Sequence, residues 1–426
     1  MSRCEGASFR QGSGTSMLLR SDRLKALVFA PSWPPTRSPR ATMNHRLLQA
    51  LDWQGCVWVA GSDRNPESTV NQLNTLRVHR LSIDLDAHVF NLLERLRLGL
   101  SDLPDRHLWW AMRTTRAALR RTHRSRVDLL VSISKPDSAH LAALAIKRQS
   151  PGLPWLAIFS DPWADLESYG YRKFNALTRR INRRLEARVL RSADAIVVTN
   201  PEARMLLLDR YPEAAAKYRI ISQCFDPELY PTRKPDHSGQ LVIRHLGDFY
   251  AERSPRPLLE ALDRLHRDDP SCATQWRFEL IGKLNCRDRE QCIQLAEGSP
   301  AVRVLPEVSY RRSLELMVDA DALLVIDAPA PLSPFLPSKL IEYLGANRPI
   351  LALTPPGAAA SLVREAGGLV AAIDRPEDVA SVLLLLLDVA RRRELHRLLP
   401  QESVRQRYSK HAVVSRMAAL ARSLVE

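Results

Sequence analysis

Ser338, Lys339 and Glu342 stand in the run Pro337 to Pro349 (PSKLIEYLGANRP), and their types suit a phosphorylated, ribose-bearing ligand. Glu342 follows Ser338 by four positions, one helical turn deeper on the same face. A carboxylate so placed can accept paired hydrogen bonds from vicinal ribose hydroxyls. Lys339 adds a point charge for a diphosphate, and a helix beginning at Ser338 adds free N–H groups and the positive end of its dipole. The same spacing also describes an ordinary solvated ion pair on a helix surface.

The flanking sequence predicts the elements that would hold these groups. Ala322 to Asp327 (ALLVID) reads as a buried strand. Pro334 and Pro337 keep the following segment out of helix, and Ser338 is the predicted N-cap of a helix from Lys339 to Ala346. Asn347 and Pro349 end it, and Ile350 to Thr354 forms the next strand. Strand, loop, helix and strand make one right-handed crossover of a parallel sheet. Open sheets of this kind bind ligands at the carboxyl ends of their strands.

The run PSKLIEYLGANRPIL resembles the nucleotide-sugar signature of retaining, family-4-type glycosyltransferases of the GT-B fold. That resemblance implies an α/β protein of two Rossmann-like domains whose parallel sheets face each other across a cleft. It implies that Glu342 holds the donor ribose, with Lys339 and Ser338 beside it. The family's fuller pattern has a second Glu eight positions upstream, where this chain has Pro334; that residue contacts the donor sugar in the family. The stretch RHLGDFYAERSPRP resembles the first strand and loop of the family's donor domain, so Gly247 would approach the diphosphate and Arg253 would clamp it. Ser160 to Trp163 (SDPW) resembles the segment that faces the acceptor, making Asp161 the candidate for orienting the acceptor hydroxyl, with helix capping as the alternative. The catalytic set implied is therefore Asp161, Arg253 and Lys339, and the donor-binding set is Gly247, Arg253, Ser338, Lys339 and Glu342. The family's paired glycines after the first strand are absent; Arg37, Ser38 and Arg40 stand there, either covering a diphosphate or solvated.

The rest of the 426-residue chain fits that organisation. Further strands read at Leu24 to Trp33, Cys56 to Ala60, Val78 to Ile83, Leu129 to Ile133, Leu156 to Phe159, Ala195 to Thr199 and Arg219 to Ser222. Helix-length segments separate them, which argues for an α/β sheet. The second half reads strands at Leu241 to Leu246, Phe278 to Ile281, Val302 to Leu305 and Leu369 to Ile373, then helices over 376–398 and 410–424. We therefore expect a disordered leader over 1–23, an acceptor-side domain over 24–225 and a proline-rich linker over 226–239. A donor domain over 240–395 and a helix over 396–426 that crosses back to the first domain complete the chain.

Composition narrows the partners. Lys and Arg number 62 against 47 acidic residues, a net charge of +15 that suits nucleoside diphosphates or acidic lipid surfaces. Nucleic acid is not expected, because no recognition motif accompanies the arginines. The cysteines are scattered without a C-x-x-C pair, the pattern of reduced thiols in the cytoplasm. No apolar run reaches the roughly 20 residues of a spanning helix. Tyr171 to Arg191 (YRKFNALTRRINRRLEARVLR) reads as a helix with Phe174, Leu177, Ile181, Leu185 and Val189 on one face and arginines on the others. It is either a solvated surface or a peripheral contact with the anionic inner face of a membrane.

Leu103 to Arg121 reads as a helix whose Trp109 and Trp110 pack it onto the sheet or stack an acceptor, and His140 reads as a helix-surface histidine. The resemblance implies no cofactor and no metal: Asp319 and Asp321 read as a turn, and Asp84 and Asp86 are isolated. The implied reaction is transfer of a sugar from a nucleoside diphosphate sugar to a sugar or lipid-linked hydroxyl, with retention, in polysaccharide or glycolipid synthesis. The alternatives are a nucleotide-sugar 2-epimerase, which needs more acid–base residues than the cleft offers, and a GT-B module that binds partners or membranes without catalysis.

Overall fold

The computed structural model describes residues 23–34, 36, 38–51, 53–60, 72–73, 76–81, 103–122, 126–164, 175–232 and 239–426. The leader as far as residue 22, Arg37, the acidic residues at 84 and 86, positions 171–174 of the basic segment and linker positions 233–238 lie outside the described residues.

The first sheet holds β1 (Lys25–Phe29), β2 (Gln54–Ala60), β3 (Gln72–Leu73), β4 (Leu76–Leu81), β5 (Leu129–Ile133), β6 (Trp155–Phe159), β7 (Ala195–Val198) and β8 (Tyr218–Ile220). Its order is β3-β4-β2-β1-β5-β6-β7-β8, parallel except for the β3–β4 pair. The second sheet uses β9 (Leu241–Leu246), β11 (Trp276–Ile281), β13 (Val302–Leu305), β14 (Ala322–Ile326), β15 (Ile350–Leu353) and β16 (Leu369–Ala371) in the order β13-β11-β9-β14-β15-β16. A ribbon of β10 (Phe249–Ala251) and β12 (Leu284–Cys286) stands beside it.

Central strands buried on both faces are near-continuous apolar runs, as in β5 (LLVSI) and β14 (ALLVI), whereas β4 (LRVHRL), with only Leu76 and Val78 buried, mixes in charged residues. In each sheet the first strand is central and the order reverses around it, β2-β1-β5 and β11-β9-β14. Reversal leaves a crevice at the carboxyl ends, where neighbouring crossovers depart to opposite faces. The loops after β9 and β14 flank one crevice; those after β1 and β5 flank the other.

The terminal helix Lys410–Ser423 buries Val413, Met417 and Ala421 in the same core as Ala26, Val28 and Val131, so the chain's end packs on the first domain. The helix predicted over 376–398 is α-helical only over Pro376–Arg391, with a 3-10 turn at Leu395–Leu398.

Three expectations change. The helix after β14 spans Ser338–Ala346 with Pro337 at the N-cap, so Ser338 lies in the first turn and makes no cap hydrogen bond. Pro337 fixes φ near −59° but leaves ψ extended, which sets the entry angle without a side-chain oxygen. Asn347 ends the helix in the left-handed region, φ 53°.

His140 is buried rather than on a helix surface: Ser132 Oγ bonds its Nδ1 at 2.8 Å, and its ring stacks on Phe159 at 4.2 Å.

The basic helix, Ala176–Ser192, buries Val189 of its apolar stripe as expected, but the rest of its inward face differs from the one the apolar spacing suggests. Thr178, Asn182 and Glu186 are buried, whereas Leu177 is 59% exposed and Ile181 and Leu185 are half-buried. The cause is Glu186, which accepts from the Trp163 and Ala164 N–H groups and the Tyr211 hydroxyl. Those bonds hold the loop after β6 and outweigh the apolar stripe.

Candidate active site

The second-domain half of the candidate site is built on the β9–β14 crevice. Gly247 follows β9 with φ 126°, and a Cβ there would fall 2.9 Å from Lys339 Nζ. The backbone conformation calls for glycine, and its missing Cβ leaves room for the ammonium. The loop from β14 leads to the helix carrying Lys339, and the loop from β9 carries Arg253. The structure therefore brings Gly247, Arg253 and Lys339 together from separate segments.

Each cation is already held. Arg253 Nη2 donates to Asp327 Oδ1 at 2.6 Å and Nη1 to the Tyr250 hydroxyl at 3.1 Å, with the arginine buried. Lys339 Nζ donates to His245 Nε2 at 2.9 Å. Burial, reinforced by the neighbouring Arg253 charge, holds the Lys339 ammonium well below its ordinary pKa against the pull of Asp327 and Asp248.

Glu342 lies one turn deeper and is buried. Its Oε1 accepts from Arg46 Nη1 at 3.2 Å and the Tyr310 hydroxyl at 3.1 Å, and its Oε2 accepts from the Tyr230 hydroxyl. The solvated-pair reading of Lys339 and Glu342 is thereby excluded: they engage different partners. Tyr343, beside Glu342, has a structural role, accepting from Leu246 N at 2.9 Å and donating to Leu324 O at 3.3 Å. Ser338 is in the first turn at the crevice. Pro334, at the position of the missing Glu, receives a hydrogen bond on its carbonyl from Asn200 of the first domain, 2.9 Å.

Across the cleft, Asp161 follows β6. Its Oδ2 accepts from Arg40 Nη2 at 3.4 Å and from its neighbour Ser160 at 3.2 Å, and the carboxylate keeps partial exposure. Arg40 thus faces Asp161 in this structure. A cleft lined by Arg40, Met43, Ser134, Ile158, Ser160 and Met417 opens beside it. Ser222 Oγ and Gln223 Oε1, also on that cleft, are buried and lack a hydrogen-bond partner among the described residues. Asp137, at the carboxyl end of β5, is pushed up to about 7 by burial, against the pull of Lys135 at 2.7 Å. Trp110 is buried and donates Nε1 to Val59 O at 3.1 Å, so it packs the helix onto the sheet, while Trp109 is exposed.

Asp319 and Asp321 are tied into the fold, the first accepting from Arg244 at 3.1 Å and the second from Val242 N at 2.8 Å. Among the described residues, Cys286, Asp288 and Cys292 place ligand-type atoms within 4.8 Å of one another. Two buried thiols and a carboxylate suit a soft cation by type. Their hydrogen bonds to Ser254, 2.8 Å from Asp288 and 3.3 Å from Cys292, also anchor the loop of Arg253 without one. The five cysteines among the described residues are free thiols.

Sequence reasoning missed Arg46, Tyr230, Tyr310 and His245. His245 alone left a signal, a polar residue at a strand position whose alternate neighbours, Leu241 and Ile243, are core.

Two sheets of this topology, with a terminal helix returning to the first domain, define the GT-B fold. The model of Glycosyltransferase Family 4 matches residues 58–229, most of the first domain. Among curated relatives it is similar to "Probable glycosyltransferase WbjE" of Pseudomonas aeruginosa, at 22% identity over 81% of this chain and 86% of that protein. Among solved structures it is similar to HepE of Anabaena in complex with UDP and glucose (TM-score 0.64, 14% identity, 94% of this chain and 100% of that one). Sucrose-phosphate synthase from Thermosynechococcus elongatus also matches (TM-score 0.66, 15% identity, 94% of this chain and 99% of that one).

Proposed function

We propose that this protein transfers a sugar from a nucleoside diphosphate sugar to an acceptor hydroxyl, with retention and without a metal. The observation that carries the reading is the convergence of Gly247, Arg253 and Lys339 at one crevice with Glu342 one turn below. In this reading Glu342 takes the ribose diol, and the Ser338 end of the helix, Lys339 and Arg253 take the diphosphate. The bond from the sugar C1 to the diphosphate oxygen breaks, the acceptor oxygen joins C1, and the acceptor's proton passes to the leaving diphosphate. Fixed cations facing the leaving diphosphate stabilise its growing charge without reorganisation. Asp161 orients the acceptor hydroxyl across the cleft. The solved relative in complex with UDP and glucose supports a donor of this class.

Retention and metal independence rest on the family resemblance of the Ser338 to Glu342 run. The acceptor reading takes support from the unpartnered Ser222 and Gln223 atoms on the first-domain cleft, which suit a polyhydroxylated or glycolipid acceptor. The helix Ala176–Ser192, with Arg180, Arg183, Arg184 and Arg188 exposed around Leu177, would lay that domain on an anionic bilayer. No helix among the described residues is long and apolar enough to cross a membrane.

Calorimetric titration with UDP, GDP and ADP and their glucose conjugates, with and without EDTA, tests the reading. Tight binding of one diphosphate that EDTA leaves unchanged is expected. No binding by any of them would favour the non-catalytic reading, for which the protein-held states of Arg253 and Glu342 are the argument.

A further inference from the structure

His245 has no place in the donor chemistry assigned above, yet it is the residue that touches Lys339. It is the next-to-last residue of β9, on the face of Leu241 and Ile243, is fully buried, and stacks on Phe249 at 4.4 Å. Nδ1 lies 3.0 Å from Leu324 O, a carbonyl that can only accept, so Nδ1 carries the hydrogen. Nε2 is therefore a lone pair, and it faces Lys339 Nζ at 2.9 Å. Burial, then the charges of Lys339 and Arg253, hold the imidazole well below its ordinary pKa, in keeping with that neutral tautomer.

A buried histidine where the strand pattern asks for Leu or Val breaks a local rule, even with its ring stacked on Phe249. Such breaks mark functional positions. We infer that His245 is a positioning residue for Lys339, its Nε2 lone pair holding the ammonium against the Gly247 turn, where a donor diphosphate passes. Arg253 stands close enough to repel that ammonium, so without an acceptor at Nε2 the flexible lysine would swing toward Asp327 or Asp248. The chain Leu324 O, His245, Lys339 thus transmits the rigidity of β14 to a side chain with four rotatable bonds. A preorganised cation is worth more to a leaving group than a mobile one.

The inference rests on the proposed donor site, and its test separates the two. Binding of UDP and of uridine is measured by calorimetry for wild type, Lys339→Ala, His245→Phe and His245→Gln, with GDP and guanosine used if they bind tighter. His245→Phe keeps the ring and its stack but loses the acceptor; His245→Gln restores an acceptor oxygen near Nε2. The expected result is a loss of about tenfold or more in diphosphate affinity for His245→Phe, with the nucleoside unaffected. His245→Gln should recover most of that loss. Thermal melts show which variants fold, and a poorly folded His245→Phe leaves the comparison of His245→Gln with wild type to decide. If Lys339→Ala weakens the diphosphate while His245→Phe does not, or if both His245 variants lose diphosphate and nucleoside equally, the positioning role is overturned. If Lys339→Ala itself changes nothing, the donor reading of Lys339 falls first.

Discussion

Arg46, on the first-domain helix Pro39–Ala50, places Nη1 3.2 Å from Oε1 of Glu342 in the second domain. Nη1 also donates to Cys224 O at 2.6 Å, and Nη2 donates to the Tyr310 hydroxyl. Burial opposes charge on Arg46, but Glu342 together with Tyr310, Cys224 and Tyr230 more than offsets it, and the guanidinium pKa ends above its ordinary value. Both partners are below a tenth exposed, so the pair is a buried ionic link between domains. A ribose diol needs two acceptor sites on Glu342, and three donors already occupy that carboxylate.

Arg46→Gln should therefore separate the two demands on Glu342. Breaking a buried pair on one side costs about 3–5 kcal/mol of stability, so the thermal midpoint should fall. Nucleotide affinity, corrected for folded fraction, should rise severalfold because the ribose no longer competes with a guanidinium. Weaker binding in a folded Arg46→Gln would mean that Arg46 holds the carboxylate in place for the ribose.

Glu342→Gln keeps volume but removes the charge that strengthens hydrogen bonds to hydroxyl groups. Nucleoside and nucleoside diphosphate should weaken together by about 1.5–3 kcal/mol, a tenfold or larger rise in Kd by calorimetry. Unchanged binding would take Glu342 out of the donor site and leave it the interdomain role alone.

Arg253→Ala and Lys339→Ala should each weaken a diphosphate while sparing the nucleoside, and the double variant should depart from additivity, because neighbouring cations share one anion. Removing Arg253 also leaves Asp327 buried without its 2.6 Å partner. Some loss of stability is thus expected for Arg253→Ala and less for Lys339→Ala. Strict additivity would place the two cations on different ligand groups.

The donor half was legible because its groups follow local rules. A strand, two prolines and an Asn stop define one crossover, and Lys339 and Glu342 ride on it at fixed helical spacing. Arg46 was not legible, since its partner lies 296 positions away in another domain and nothing local encodes how two domains meet. Ser338 looked like an N-cap by residue type, but Pro337 took that position. The inward face of the basic helix was misread because Leu177, Ile181 and Leu185 form a plausible apolar stripe. The decisive bonds from Glu186 run to backbone N–H groups of Trp163 and Ala164, which leave no trace in composition.

His140 gives a pH prediction. Burial, with a smaller push from Lys135, lowers its pKa from 6.5 to about 3 despite the pull of Asp105. The fold thus prefers the neutral ring, and the unfolded chain binds the proton more readily. Its contribution is fully present above pH 6.5 and is lost as the pH falls from there toward 3. Each pH unit in that window costs about 1.4 kcal/mol for one such proton. His140→Asn keeps an acceptor for Ser132 but cannot charge, so its urea-unfolding free energy should vary less between pH 6.5 and 4 than that of wild type. Parallel pH curves for the two proteins would refute the assignment.

Where the protein works is tested on the helix Ala176–Ser192. Arg180, Arg183, Arg184 and Arg188 are exposed, and Leu177 projects at 59% exposure beside them. Basic residues near an anionic surface contribute about 1 kcal/mol each, screened over roughly 8–10 Å at physiological ionic strength. A single exposed leucine adds little, so the attachment should be weak and salt-sensitive. Co-sedimentation with vesicles containing phosphatidylglycerol should be clear at low salt, fall at physiological salt, and be absent with phosphatidylcholine alone. Replacing the four arginines with Gln should abolish it. Glu186 is untouched by these changes, so the loop of Asp161 keeps its anchor and nucleotide affinity in the second domain should stay as it was. Binding that survives the replacement, or no binding by the parent at low salt, would leave the helix as an ordinary solvated face.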